Sequence, residues 1–242
     1  MLAIIGGSGL SKLGNMEVTR RRVARTPYGE PSGALTLGRI CAAEVVFLAR
    51  HGYGHTIAPH EVNYRANLWA LKDAGADAVI SVASVGGIRS ELGPGALAVP
   101  HQIVDYTWGR RSTYFEGQGT PVNHIDFTEP YSAPMRERIF KAAREAGEPV
   151  IDRGVYAATQ GPRLETAAEI QRMRRDGCDL VGMTSMPEAA LARELGLEYA
   201  SLCVVANRAA GLDPVPLRMA DIEATLARAM VGVRKILVQY AS

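Results

Sequence analysis

The chain has 242 residues, 47% of them apolar and 21% charged. This is enough apolar surface for a sizeable core and too much for a disordered chain. With 27 basic against 25 acidic side chains the net charge is +2, and no basic block exceeds Arg20-Arg21-Arg22 and Arg174-Arg175, which read as solvated faces, so no nucleic-acid surface is expected. The cysteines, Cys41, Cys178 and Cys203, lie far apart without CxxC spacing. That argues against zinc or a disulfide framework and reads as small core residues in a reducing compartment. Met1 leads straight into Leu2-Ala3-Ile4-Ile5, and no apolar run reaches about 18 residues. A cytoplasmic chain without a membrane span is expected.

In chain order, a strand over Leu2 to Ile5 runs into Gly6-Gly7-Ser8-Gly9, and a strand over Glu44 to Ala49 into a loop from Arg50 to Pro59. A helix follows over Glu61 to Ala74, with Tyr64, Leu68 and Leu71 on one face. Next come a strand over Ala78 to Val82, the Gly86-Gly87 turn, a loop from Trp108 to Asn123 and a helix over Ala133 to Ala146. A strand over Val155 to Thr159 precedes Gly161-Pro162 and a helix over Arg163 to Arg175. After a strand over Asp179 to Met183, Pro187 and Glu188 open a helix to Leu195 that Gly196 ends. A strand over Tyr199 to Ala206, a loop from Asn207 to Pro216 and a helix over Met219 to Tyr240 complete the chain. Strands alternating with amphipathic helices predict an α/β fold, a mixed or parallel sheet flanked by helices, in a single domain over residues 1–242.

In open α/β sheets ligands gather outside strand ends, so the chemistry belongs in those loops. Gly6 to Gly9 can turn backbone N–H groups inward, and Ser8 adds a hydroxyl, which suits an anion or merely a tight turn. The run lacks the spacing of GxGxxG and the lysine of a P-loop. Arg50-His51 puts a guanidinium fork and an imidazole at a strand tip, donors matched to phosphate. His51, His55 and His60 do not have regular metal-ligand spacing, and no metal is expected. Glu165 falls in the first turn of the predicted helix after Pro162, a position that helix capping alone could explain. Gly182-Met183-Thr184 feeds a helix N-terminus with donors for an anion, although Met183 and Met186 could be plain core filler. Asn207 ends an apolar strand, where its amide either caps a turn or reads a ligand.

Five ordered motifs together resemble the trimeric nucleoside phosphorylases, specifically the methylthioadenosine phosphorylase branch: Ile4-Ile5-Gly6-Gly7-Ser8-Gly9-Leu10, Arg50-His51-Gly52, Glu61 to Asn67, Gly161-Pro162-Arg163, and Gly182-Met183-Thr184 through Pro187-Glu188. The resemblance implies a homotrimer with a mixed central sheet that splits a 5′-methylthio nucleoside with phosphate. Inorganic phosphate would be a co-substrate, with no metal or organic cofactor. Phosphate would be held by Ser8, Arg50, His51, Ala83, Ser84 and Thr184. Met183 would lie beneath the ribose, Leu164 would pack on the base where the family commonly has Phe, and a neighbouring subunit would supply His124 near the 5′ group.

The sequence departs from that branch at the base. Where methylthioadenosine phosphorylases carry two aspartates, this chain has Asn207 and Ala209, flanking Arg208, and all three are expected to contact the substrate. An asparagine offers NH₂ to a 6-oxo group and its carbonyl to N7–H. Leu164-Glu165-Thr166 is similar to the 6-oxopurine phosphorylases, whose carboxylate accepts N1–H of the base. Adenine has a lone pair at N1 and would leave Glu165 unpaired. All five histidines lie at or before His124, so the late histidine that binds a 5′-hydroxyl in ordinary purine nucleoside phosphorylases is missing. Pro214 to Met219 and Ile222 instead offer apolar contacts for a thioether. The expected substrate is S-methyl-5′-thioinosine, with Asn207 and Glu165 stabilising the departing purine. The alternatives are a tolerant methylthioadenosine phosphorylase, a general 6-oxopurine phosphorylase, a module that binds nucleoside without cleaving it, and a dinucleotide-binding redox domain.

Overall fold

A computed structural model of the chain describes residues 1–10, 12–214 and 218–242. In chain order the elements are β1 (Leu2–Gly6), β2 (Glu17–Arg22), β3 (Leu35–Ile40), β4 (Ala43–Ala49), α1 (Tyr64–Asp73), β5 (Ala78–Gly87), β6 (Leu97–Val99) and β7 (Gln102–Asp105). They continue with α2 (Ala133–Glu145), β8 (Val150–Asp152), β9 (Val155–Ala158), α3 (Ala167–Arg175), β10 (Leu180–Gly182), α4 (Ser185–Glu194), β11 (Glu198–Arg208) and α5 (Met219–Ala241). All the strands join one mixed sheet. Its centre is parallel, β4-β1-β5-β11, because each of these strands returns through a helix or long connection.

Both faces of that centre are covered, which is why its strands are near-continuous apolar runs. Along β1 the pleat sends Ile4 to the side of α2 and α5, with Met135, Ile139, Val233 and Ile236, and Ala3 and Ile5 to the side of α1 and α4, with Leu68, Leu71 and Leu191. α3 packs Ile170 and Met173 separately against Ile88, Ala157 and Val181. Among the described residues no helix is long and apolar enough to cross a membrane.

Five strands lie outside the sequence-based expectation. β6, β7 and β8 have only three or four residues, too few for a period to register. β2 and β3 form an edge hairpin in which Arg20 and Arg21 face solvent, charge that discourages further strand pairing. Cys41 corrects the core reading: it sits exposed at φ 53° in the β3–β4 turn, whereas Cys178 and Cys203 are buried. The helix expected from Arg163 starts four residues later. Thr166 is its N-cap, accepting from the Glu169 N–H at 3.1 Å while the Glu169 carboxylate accepts from the Thr166 N–H at 2.7 Å. This capping box satisfies the helix end, so Glu165 lies outside the first turn and does no capping.

Two features open a site at the ends of the central strands. β1 pairs with β5 only as far as Ser81, so Ala83 to Gly86 project beyond it, and β10 meets β5 antiparallel there. In β11 the register slips between Val205 and Asn207. This bulge inserts Ala206 and breaks the alternation, so Ala206 and Asn207 both face the same cavity.

Candidate active site

A cavity of about 1060 Å³ opens there. Ser8, Arg50, His51, Ala83, Ser84 and Thr184 are among the residues that line it, as are Leu164, Glu165, Met183, Asn207, Ala209 and Met219. Two residues named from sequence are elsewhere. Arg208 donates to the carbonyls of Arg89 at 2.6 Å and Ile88 at 3.4 Å and so closes the loop after β5. Its guanidinium is spent on backbone, which removes it from the substrate contacts. His124 is exposed on the loop between β7 and α2 and lies outside the cavity of its own chain.

The anion end rests on a buried charge pair. Arg50 and Glu188 have no exposed surface, and Glu188 takes both arms of the fork: Nε to Oε2 at 2.7 Å and Nη2 to Oε1 at 3.0 Å. Ser81 Oγ and Tyr199 OH also donate to Oε1, at 2.7 and 2.8 Å. Burial alone would lower the Arg50 pKa, but Glu188 holds it above its ordinary value. The expectation of a two-oxygen fork on phosphate is therefore corrected. A guanidinium removed from water requires a counter-charge, and with Nη2 also donating to Ser81 Oγ at 2.6 Å and Nη1 to Val82 O at 3.1 Å, one Nη1 hydrogen remains without a protein partner. Arg50 lies behind the cavity wall with Nη1 beside Gly7, where a Cβ would stand 2.8 Å from it and 2.6 Å from Val82 O. Glu188 reads in sequence as a first-turn acid, and its position among Ala189, Leu191 and Ala192 on a buried helix is the signal that pointed inward.

His51 is also corrected. Its Nδ1 faces the Ile57 carbonyl at 2.9 Å, so Nδ1 carries the proton and Nε2 is an acceptor. Burial, then the charge of Arg50, push its pKa down to about 4, which leaves the ring neutral at pH 7 rather than adjustable near neutrality. Beside it are His55, ring centroids 4.7 Å apart, and Ser8, whose Oγ is 3.5 Å from His55 Nε2. Sequence reasoning did not assign His55 to the site. Thr184 is the N-cap of α4 yet makes no side-chain capping bond; it lines the cavity beside Tyr156, to whose OH its N–H donates at 3.5 Å. Ser185 Oγ is instead paired with Tyr131 OH at 2.9 Å.

At the other end Glu165 Oε1 accepts from Thr159 Oγ1 at 2.7 Å, which fixes the carboxylate and leaves its second oxygen open. Asn207 Nδ2 donates to Arg208 O at 2.7 Å, and its second Nδ2 hydrogen and Oδ1 stay available. Met183 Sδ is pressed against Gly161, where a Cβ would approach it to 2.5 Å at a backbone φ of +61° that favours glycine. From α5, Met219, Ile222 and Leu226 supply an apolar wall. The apolar contacts expected from Val215, Pro216 and Leu217 lie outside the described residues.

One cavity thus gathers hydroxyl, guanidinium and imidazole groups, a carboxylate, an amide, a thioether and aliphatic side chains. The match to known proteins is extensive. The model of the phosphorylase superfamily matches residues 1–242. A protein of Pseudomonas syringae pv. tomato named "Probable S-methyl-5′-thioinosine phosphorylase" is 53% identical over 240 residues, 99% of this chain and 98% of its own. A "6-oxopurine nucleoside phosphorylase" of Pyrococcus furiosus is 45% identical over 226 residues, 91% and 84% of the two chains. The solved structure of methylthioadenosine phosphorylase from Schistosoma mansoni in complex with adenine superposes with a TM-score of 0.95 at 33% identity, covering 99% of this chain and 90% of that one. With motifs, sheet and cavity in agreement over the full length, the chain belongs to the phosphorylase superfamily and is an enzyme of the nucleoside phosphorylase type.

Proposed function

We propose that the enzyme cleaves S-methyl-5′-thioinosine with phosphate to give hypoxanthine and 5-methylthioribose 1-phosphate. The observation that carries this reading is that Glu165, fixed by Thr159, and Asn207 line the same cavity. An ionised carboxylate seeks N1–H, and the amide serves O6 and N7–H; a 6-oxopurine supplies all three and adenine reverses the N1 partner. Met219, Ile222 and Leu226 suit a thioether, which is easier to desolvate than a hydroxyl. The relatives named for S-methyl-5′-thioinosine and for 6-oxopurine nucleosides support the same base preference. The absence of any histidine beyond His124 favours the methylthio substrate over a 5′-hydroxyl one.

In the reaction a phosphate oxygen bonds to C1′ as the C1′–N9 bond breaks, through a ribose with oxocarbenium character. The dianion placed by Ser8, Thr184, the Ala83-Ser84 backbone and the free Nη1 hydrogen of Arg50 stabilises that cation. The P–O–H of monohydrogen phosphate donates to His51 Nε2, an orientation that a neutral ring of this tautomer accepts. The purine leaves with one proton gained and phosphate becomes an ester with one proton fewer, so solvent relay between them balances the step. Inorganic phosphate is the co-substrate, and the chemistry needs no metal or organic cofactor. A homotrimer is part of the proposal: Trp108 and Val122, 72% and 75% exposed, share a loop with His124, which would approach the 5′ group of a neighbouring site. Relative kcat/KM for methylthioinosine, methylthioadenosine and inosine at fixed phosphate tests the assignment. Methylthioinosine should lead both by at least about 100-fold, given what one unpaired buried group costs; equal rates on methylthioadenosine would refute it.

A further inference from the structure

Arg110 does not line the cavity, yet its guanidinium holds two segments that run into its lining and lies against Tyr64 of α1. All five of its N–H donors meet oxygen acceptors. Nη1 donates to Met183 O at 2.8 Å and Met186 O at 2.6 Å, Nη2 to Thr159 O at 3.1 Å and Gln160 O at 2.9 Å, and Nε to Gln160 Oε1 at 3.2 Å. The same cation lies over the Tyr64 ring, 5.6 Å from its centroid. Tyr64 OH in turn donates to Pro59 O at 2.8 Å, at the end of the loop that carries His51 and His55.

Four of these acceptors are main-chain carbonyls where β9 and β10 end and α4 begins, groups that need hydrogen-bond partners when buried. Met183, Thr184 and Pro59 line the cavity, and Thr159 holds Glu165, which lines it too. None of these bonds is to a carboxylate. The guanidinium answers a convergence of carbonyl dipoles, which three ammonium donors could meet only in part.

We propose that Arg110 is a positioning residue that sets the spacing between the purine-reading carboxylate and the phosphate site by tying the ends of β9 and β10 to the start of α1. The proposal rests on the phosphorolysis reading for the identity of those two subsites and for its choice of substrates. Kinetics are measured on R110Q and R110K, well below each variant's melting temperature, with whichever nucleoside the wild type turns over best. Failure of the substrate reading thus appears in the wild-type panel and failure of this proposal in the variant-to-wild-type ratio. R110Q should lose at least about 30-fold in kcat/KM, with KM raised for nucleoside and for phosphate alike, since misplacement of about 1 Å costs that order of rate. R110K should recover part of the loss. R110Q with both KM values and kcat within twofold of wild type would overturn the role. So would a reduced active fraction whose KM values are unchanged, which is the signature of stability alone. If R110Q does not fold, R110K is judged by the same criteria.

Discussion

Arg50 and Glu188 illustrate how one residue's duty is set by another 138 positions away. Removing Glu188 leaves a guanidinium buried and uncompensated, so Glu188→Ala should cost about 3–5 kcal/mol in urea unfolding. Replacing both partners, Arg50→Met with Glu188→Leu, should recover most of that stability without restoring phosphate affinity, since the anion donor is gone. A double variant that binds phosphate as the wild type does would move the anion site elsewhere. At the purine end, Asn207→Asp should lower the methylthioinosine-to-methylthioadenosine ratio of kcat/KM by about 10-fold or more, because an aspartic acid can protonate N7 and accept from a 6-amino group. An unchanged ratio would remove Asn207 from base reading.

His51 makes a pH-dependent contribution whose sign is fixed by its environment. Its pKa is about 4 in the folded chain against 6.5 when unfolded. Between those values the unfolded chain holds a proton that the native one lacks, so stability falls as pH drops from 6.5 toward 4, by about 3 kcal/mol at most. Urea unfolding at pH 7 and pH 5 should give a smaller difference for His51→Asn than for the wild type. An equal difference would show that the ring is not held neutral.

At the scale of elements, the sequence was readable where a segment was long and periodic. The six expected strands all occur, since Val- and Ile-rich runs covered on both faces carry a clear signal. The helix after Gly161-Pro162 was placed too early because proline and Glu165 mimic a helix start, while the working cap is Thr166 with Glu169. That boundary separates two adjacent residues by duty. Thr166→Ala should cost about 1 kcal/mol of stability and leave base selectivity intact. Glu165→Gln should do the reverse, with selectivity read from the kcat/KM ratio of the two methylthio nucleosides and stability from urea unfolding. Both properties changing together in either variant would contradict this division. The bulge at Ala206 was not legible, because a single inserted residue is visible only against its partner strand. The cavity-lining side chains at strand ends were legible as donors, whereas the Glu188 and Arg110 networks join residues too distant in sequence for spacing to reveal.

At the scale of the molecule, the parallel centre gathers the ends of β1, β4 and β11 beside the projecting half of β5, and the site is what those ends carry. In the proposed reading the apolar residues of α5 would meet the 5′ end and the loop bearing His124 would reach a neighbouring subunit, whereas Glu165 and Asn207 come from one chain. Competition by the free bases at saturating phosphate therefore isolates the polarity of the purine wall from everything at the 5′ position. Hypoxanthine should inhibit at a concentration at least about 100-fold below adenine, a gap of some 3 kcal/mol, and the gap should collapse in Glu165→Gln. Adenine binding as tightly as hypoxanthine to the unaltered enzyme would contradict the account.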